Sequence, residues 1–384
     1  MTVRTGLERL LREGLPQIHG KRIGLVTNHT GIDSRLRHGI DLLASSARFR
    51  LTALFGPEHG VRGADQAGVH VGEAVDARTG LRAHSLYGET RKPTDEMLAD
   101  VDALLFDIQD VGVRLATYVS TLWLVQQAAA EVGLPLVVLD RPNPIAGLQV
   151  EGNLVEAGRE SFVGIHAIPI RHGLTFGELA RLFACDKGWP EPRVVAMEGW
   201  ERGMWFDQTG LPWVQPSPNL PTLDSVTVYP GTCLIEGTNV SEGRGTTRPL
   251  ELVGAPWVDP YRLAGELEAR GIPGAAFRAT WFTPTFSKHH GTTCGGVQVH
   301  VLDRQALRPV ELGIHLIHAF MTHCPREFAW RKSEIGTYFI YRLLGSAQPR
   351  QMLDTGSDAR TVYVDWPASA LAFQIRTSAL LLYR

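Results

Sequence analysis

Short, nearly continuous apolar runs recur through the first part of the chain: "IGLV", "LTALF", "ALLF" and "LPLVVL". Each has strand length and none alternates, while the segments between them carry apolar residues at helical spacing. That is the pattern of parallel strands buried on both faces. An amphipathic helix is expected from about Gly6 to Leu15, and a helical stretch around Asp41 to Ser45. Following "FDIQDVGVRLATY", residues Leu115, Val119, Leu122, Val125 and Ala129 mark the buried stripe of a longer helix, with Tyr118 inside it. Further on, "FVGIHAIPIRHG" reads as a strand, "TFGELARLFA" as a helix capped by Thr175 with Glu178 at the capping-box position, and "RVVAMEG" as another strand. The expected fold is α/β: a Rossmann-like, doubly wound parallel sheet domain over residues 1–222. The proline-rich "LPWVQPSPNLPTL" forbids regular structure and ends it. Residues 223–384 read as a smaller α+β domain. It opens with a glycine- and threonine-rich region and continues with the half-buried strand "GGVQVHVLD" and the helix "ALRPVELGIHLIHAFMTHC".

Polar side chains collect where the apolar runs stop: Asn28 and His29, then Glu58 and His59, then Asp107, Gln109 and Asp110, then Asp140, Arg141 and Asn143. Open α/β sheets bind ligands outside the carboxyl ends of their strands, so these clusters are expected to converge. Strand ends are also polar simply because loops meet water, and it is the four clusters together that point to a site. Within "LFGPEHGVRG", Glu58 follows a buried strand beside Pro57 and between glycines, which suits a general acid; the plainer alternative is a turn cap or a pair with Arg62. Tyr118 one turn into its helix points toward the same crevice, unless it is a core aromatic satisfied by Asp107. The loop "EGTNVSEGRGTTRP" adds Asn239, Glu242 and Arg244, the last either a fork for a ligand carboxylate or a domain-bridging ion pair.

Composition narrows the classes. The chain is 44% hydrophobic and 20% charged, with a formal net charge of -2, so it is an ordinary globular protein without the basic stripe of a nucleic-acid binder. No window reaches the ~18 apolar residues of a membrane span. The N-terminus lacks the apolar run of a signal peptide, which implies a cytoplasmic protein, or an exported one if a leader has been removed. Four dispersed cysteines without a CxxC pair read as buried thiols, Cys294 among them. GxGxxG is absent, which weighs against a dinucleotide. His59 and the His289-His290 pair lack metal-ligand spacing, so no metal and no cofactor are expected.

The blocks "LVTNHTGID", "LFGPEHGVRG", "LLFDIQDVGVRLATYVSTL", "LDRPNPIAG", "PIRHGLTFGELA", "QPSPNLPTLDSVTVYPGTCLIEGTNVSEGRGTTRPLELVGAPW" and "FTPTFSKHHGTTCGGVQVHV" resemble the NamZ-type exo-β-N-acetylmuramidases across nearly the whole chain. The resemblance implies a bacterial glycoside hydrolase that releases N-acetylmuramic acid from the non-reducing end of peptidoglycan fragments in cell-wall turnover and recycling. It implies a cleft between a Rossmann-like domain and a smaller C-terminal one, Glu58 and Tyr118 as catalytic residues, and, in many members, export. Glycosidases ordinarily use two carboxylates, about 5–5.5 Å apart for retention and about 6.5–9.5 Å for inversion. With Glu58 as the acid, Asp107, Asp110 and Glu242 are the candidate partners; Tyr118 as nucleophile or attack by the substrate's 2-acetamido group are the alternatives. Substrate contacts are expected from Asn28, His59, Asp107, Gln109, Arg114, Asn143, His172, Asn239, Glu242, Arg244 and Lys288. Arg114, Arg244 and Lys288 are the cations for the lactyl carboxylate. The partner is thus a small saccharide or muropeptide. A non-catalytic muropeptide-binding protein, or a metal-dependent hydrolase built on His59, His289 and an aspartate, are the competing classes.

Overall fold

A computed structural model describes residues 2–66, 68–333 and 336–384. Seven strands build the main sheet: β1 (Arg22–Thr27), β2 (Arg50–Gly56), β3 (Ala74–Val75), β4 (Arg82–Ser85), β5 (Ala103–Asp107), β6 (Leu136–Leu139) and β7 (Arg193–Val195). Their order is β3-β4-β2-β1-β5-β6-β7, with every pair parallel except β3 and β4. The chain leaves β1 toward β2 on one side and later returns to β5 on the other. The carboxyl ends of those three strands therefore open onto a topological switch point.

Side-chain alternation explains why the runs are apolar throughout. Leu25, Leu54, Leu105 and Val137 face a core with Leu7, Leu10 and Ile40 from α1 (Gly6–Glu13) and α2 (Gly39–Ala44). Val26, Phe55, Phe106 and Val138 face the opposite core, where they meet Val119, Leu122, Leu179 and Phe183. After the single turn α3 (Asp95–Leu98), that second layer is α4 (Thr117–Val132) and α5 (Phe176–Lys187). Thr175 caps α5 with the expected capping box to Glu178.

"FVGIHAIPIRHG" forms no strand; it makes only isolated bridges at Gly164 and Arg171. Pro169 has no N–H to give a ladder, and the Ile168 carbonyl accepts from the Arg114 guanidinium instead of a neighbouring strand. β3 and β4 were not expected, because "AV" and "RAHS" contain no apolar run.

In the second part, α6 (Leu223–Thr232) precedes β8 (Leu252–Ala255), α7 (Pro260–Ala269), β9 (Ala275–Phe282), β10 (Cys294–Val301) and α8 (Pro309–His323). The strands pair antiparallel in the order β8-β10-β9. Helix α6 thus begins inside the proline- and threonine-rich stretch, and α6 and α8 touch backbone to backbone. A Cβ on Gly231 would stand 1.7 Å from the Pro309 carbonyl oxygen, so only glycine fits. Of the cysteines, Cys233, Cys294 and Cys324 are buried, whereas Cys185 is exposed, contrary to expectation. Among the described residues no helix is long and apolar enough to cross a membrane.

The far end of the chain returns to the first sheet. Phe373, from the helix Trp366–Thr377, joins the α4/α5 core, and the Leu382 N–H donates to Glu178 at 2.9 Å. Asp140, fully buried at the end of β6, accepts from the Tyr383 hydroxyl (2.6 Å), the Thr175 hydroxyl (2.7 Å) and the Gly177 N–H (2.9 Å). Burial nevertheless outweighs these bonds and pushes its carboxyl up from 3.8 to about 7. The folded state therefore holds this proton more tightly than the unfolded chain. The resulting stability is complete below the unfolded value and is lost as pH rises through about 7. Asp140→Asn cannot ionise, so from pH 5 to pH 8 wild type should lose on the order of 2–3 kcal/mol relative to this variant. Urea denaturation of both proteins at the two pH values measures it, and an offset independent of pH would contradict the assignment.

Candidate active site

Leu54 and Phe55 anchor β2 in opposite cores, and the chain then turns sharply through Pro57. His59 takes a left-handed conformation (φ 74°), uncommon for a residue with a side chain, and is held there by a 2.8 Å bond between its Nδ1 and the Asp65 carbonyl. Gly63 (φ 76°) lets the loop pass over His29, whose ring would lie 2.4 Å from any Cβ. This geometry accounts for the glycines around Glu58. Its half-buried carboxylate accepts from the Gly68 N–H through Oε1 and from the Thr117 hydroxyl through Oε2, both at 2.7 Å. Arg62 does not pair with it, turning instead to Asp41 and Asp76, each at 2.8 Å. Both oxygens of Glu58 are thus oriented by neutral donors, and the group faces a cavity of about 1110 Å³.

The cavity lies between the two parts of the chain. Leu115–Tyr118, leading into α4, and Pro216, Ser217, Asn219 and Leu220 line it from the first part; Tyr229, Cys233, Glu236, Glu242, Arg244 and Lys288 line it from the second. The Tyr118 hydroxyl donates to the Pro216 carbonyl at 2.6 Å, not to Asp107, and thereby fixes the proline-rich segment at the cavity wall. Burial, reinforced by the charge of Glu58, holds the Tyr118 phenol well above its ordinary pKa, so a phenolate nucleophile would have to form against both. Tyr87, also in the wall, is pushed up to about 12 by burial and then by Glu58.

Opposite stands a four-membered ionic cluster. Arg244 pairs with Glu236 and, through Nε at 3.2 Å, with Glu242; Lys288 Nζ lies 2.8 Å from Glu242 Oε2. Lys288 also donates to the carbonyls of Ile235 (3.0 Å) and Thr238 (3.1 Å). Burial works against the Arg244 charge, but the two carboxylates outweigh it and raise its pKa. Arg244 is therefore neither a bridge to the first domain nor without a carboxylate of its own.

Of the residues singled out from sequence, Glu58, His59, Tyr118, Glu242, Arg244 and Lys288 line the cavity. The others lie outside its lining. Asp107 is fully buried in a two-point ion pair with Arg141 (2.6 and 3.0 Å). Asn28 accepts from the Thr30 N–H, Gln109 donates to the Pro142 carbonyl, and Asn143 donates to the Leu174 carbonyl. Asn239 likewise spans the Glu327 carbonyl and the Ala329 N–H. His172 is buried, accepting from the Leu174 N–H, with its Nε2 3.3 Å from the buried Asp110. Arg114 is 1% exposed and donates to four backbone carbonyls, so it is not a ligand cation. For Asn28, Gln109, Arg114, Asn143 and Asn239 the reason is that loops leaving a sheet bury backbone groups that need partners, and nearby polar side chains supply them. His289 bonds the Asn239 carbonyl, and among the described residues no three potential metal ligands converge.

Glu236, Thr117, Tyr229 and Arg331 line the cavity without having been expected. Glu236 carried a usable signal: "CLIEG", like "LFGPEHG", ends an apolar run with an acid beside glycine.

Residues 23–224 match the family described as exo-beta-N-acetylmuramidase NamZ, N-terminal, and residues 227–383 match its C-terminal counterpart. The peptidoglycan beta-N-acetylmuramidase NamZ of Bacillus subtilis (strain 168) is 46% identical over 382 residues, covering 99% of this chain and 91% of that protein. Two crystal structures of DUF1343 family proteins from Bacteroides fragilis share the fold over 100% of this chain and 99% of theirs. Their TM-scores are 0.91 at 36% identity and 0.80 at 29% identity.

Proposed function

The chain belongs to the exo-beta-N-acetylmuramidase NamZ family, and from that premise we propose that it is a glycosidase releasing N-acetylmuramic acid from the non-reducing end of peptidoglycan fragments. The observation that carries the chemistry is Glu58: a half-buried carboxylate, oriented at both oxygens, in the wall of a cavity large enough for a sugar. In this reading the Glu58 carboxyl protonates the departing glycosidic oxygen as the anomeric bond breaks, and as a carboxylate it then takes a proton from the water that completes hydrolysis.

Of the three candidate partner carboxylates, Glu242 alone lines the cavity, which supports it as the second carboxylate of the pair, with Arg244 and Lys288 fixing its orientation. Tyr118 is assigned to positioning the Pro216 segment. Arg331, whose guanidinium lies 4.7 Å from the centre of the Phe339 ring in the same wall, joins Arg244 and Lys288 as a cation for the lactyl carboxylate.

Incubation with MurNAc-β-1,4-GlcNAc tests the proposal. Free N-acetylmuramic acid is expected, with no cleavage of a chromogenic N-acetylglucosaminide. Saturable binding of the disaccharide without release would replace the enzyme by a muropeptide-binding protein.

A further inference from the structure

The catalytic cavity does not end at its mouth. A second depression, open and about 660 Å³ in volume, shares Gln66, Asn219 and Phe286 with it as lining residues, so the two form one continuous path. Its character differs from that of the cavity. Leu252 and Phe282 are its buried apolar residues, Thr246, Thr280 and Gln298 supply hydroxyl and amide groups, and Arg248 and Arg278 supply charge. Arg278 projects from β9, an edge strand of the small sheet. It is exposed and hydrogen-bonds Gln298 Oε1 at 2.7 Å, and among the described residues no carboxylate lies within ion-pair distance of it. Arg248 reaches Glu251 only at 3.4 Å, with 49% of its side chain exposed. Hydroxyl and amide donors, an aromatic edge at Phe286 and two arginines together suit an acidic carbohydrate.

We propose that this depression is an aglycone subsite that receives a carboxylate carried by the glycan beyond the bond being cut, with Arg278 as its principal contact. The inference rests on the exo-muramidase reading: if the terminal sugar fills the cavity, the remainder of the chain must leave through the mouth that Gln66, Asn219 and Phe286 frame. In a muramic acid–glucosamine polymer the next acidic sugar is the third from the non-reducing end. It offers either its free lactyl carboxylate or, when that is amidated by a stem peptide, the carboxylates of the peptide. Both sources present the same chemistry to Arg278.

Kinetics of wild type, Arg278→Ala and Arg278→Glu on three substrates test this: the aryl glycoside of N-acetylmuramic acid, the bare tetrasaccharide (MurNAc-GlcNAc)2, and the same tetrasaccharide with a tetrapeptide on its inner muramic acid. The ratio of kcat/KM for a tetrasaccharide to that for the aryl glycoside should fall about tenfold in Arg278→Ala, through KM, and further in Arg278→Glu. A fall confined to the bare tetrasaccharide identifies the lactyl group, and one confined to the peptide-bearing form identifies the stem. Unchanged ratios for both variants, with wild type active on all three, overturn the subsite and leave the muramidase reading intact. Absence of release from every substrate by wild type removes both.

Discussion

Replacing Glu58 by Gln is expected to lower kcat for MurNAc-β-1,4-GlcNAc about 10³-fold, because the amide can neither give the proton the leaving oxygen needs nor take one from water. The fold should survive. Glu58 is half-buried and held by one N–H and one hydroxyl, and the glutamine carbonyl can keep one of those bonds. The loss of stability should stay at about 1 kcal/mol, read as a urea midpoint. A second substrate separates an acid from a merely structural residue. A nitrophenolate leaves without protonation, so if bond cleavage limits the rate, the variant should lose less activity on the nitrophenyl glycoside than on the disaccharide. Equal losses on both, or an active variant, would remove Glu58 from the proton-transfer step.

The second large effect concerns stability. Arg114 Nη1 donates to the carbonyls of Asn153 (2.5 Å) and Ile168 (2.7 Å), and Nη2 to those of Leu343 (3.2 Å) and Leu344 (2.7 Å). One guanidinium thus ties the segment leaving β5 to a segment more than two hundred residues later, and Leu115 and Leu343 beside it both line the cavity. Burial lowers its pKa to about 9, so it keeps its charge at neutral pH while lacking any carboxylate partner among the described residues. Arg114→Ala would strand these carbonyls at about 1–3 kcal/mol each, non-additively, and leave a void; a loss of about 4 kcal/mol or more is expected. Arg114→Lys should recover only part of it, since an ammonium cannot reproduce the planar fork. Urea titration of both variants decides the matter. A normally stable Arg114→Ala protein with a weakened preference for muramic acid over glucosamine would instead restore the lactyl-binding role.

That reversal shows what the sequence could carry. Period and run length were enough for the parallel strands around β1, because a strand is apolar wherever both its faces are buried, as "ALF" and "ALLF" are. Glu58 was legible for a related reason: an acid between glycines at the end of such a run has few structural uses. Asp107, Asn143 and Arg114 have the same kind of address, yet they are consumed inside the protein. Chain position tells where a side chain begins; whether it then meets water, a ligand or an orphan carbonyl depends on loops packed from elsewhere. Glu236 and Arg331 reach the cavity from the second part of the chain, whose approach no local pattern in the first part records. "FVGIHAIPIRHG" failed for a complementary reason, since its apolar content packs as irregular chain once side chains satisfy its backbone.

The bond between Tyr383 and Asp140 has a temporal consequence. Ribosomes deliver this chain from its first residue, so β1 through β6 emerge long before Phe373 and Tyr383, which complete the packing around them. Until those residues are made, the α4/α5 core lacks Phe373 and the Asp140 carboxyl lacks one of its three donors.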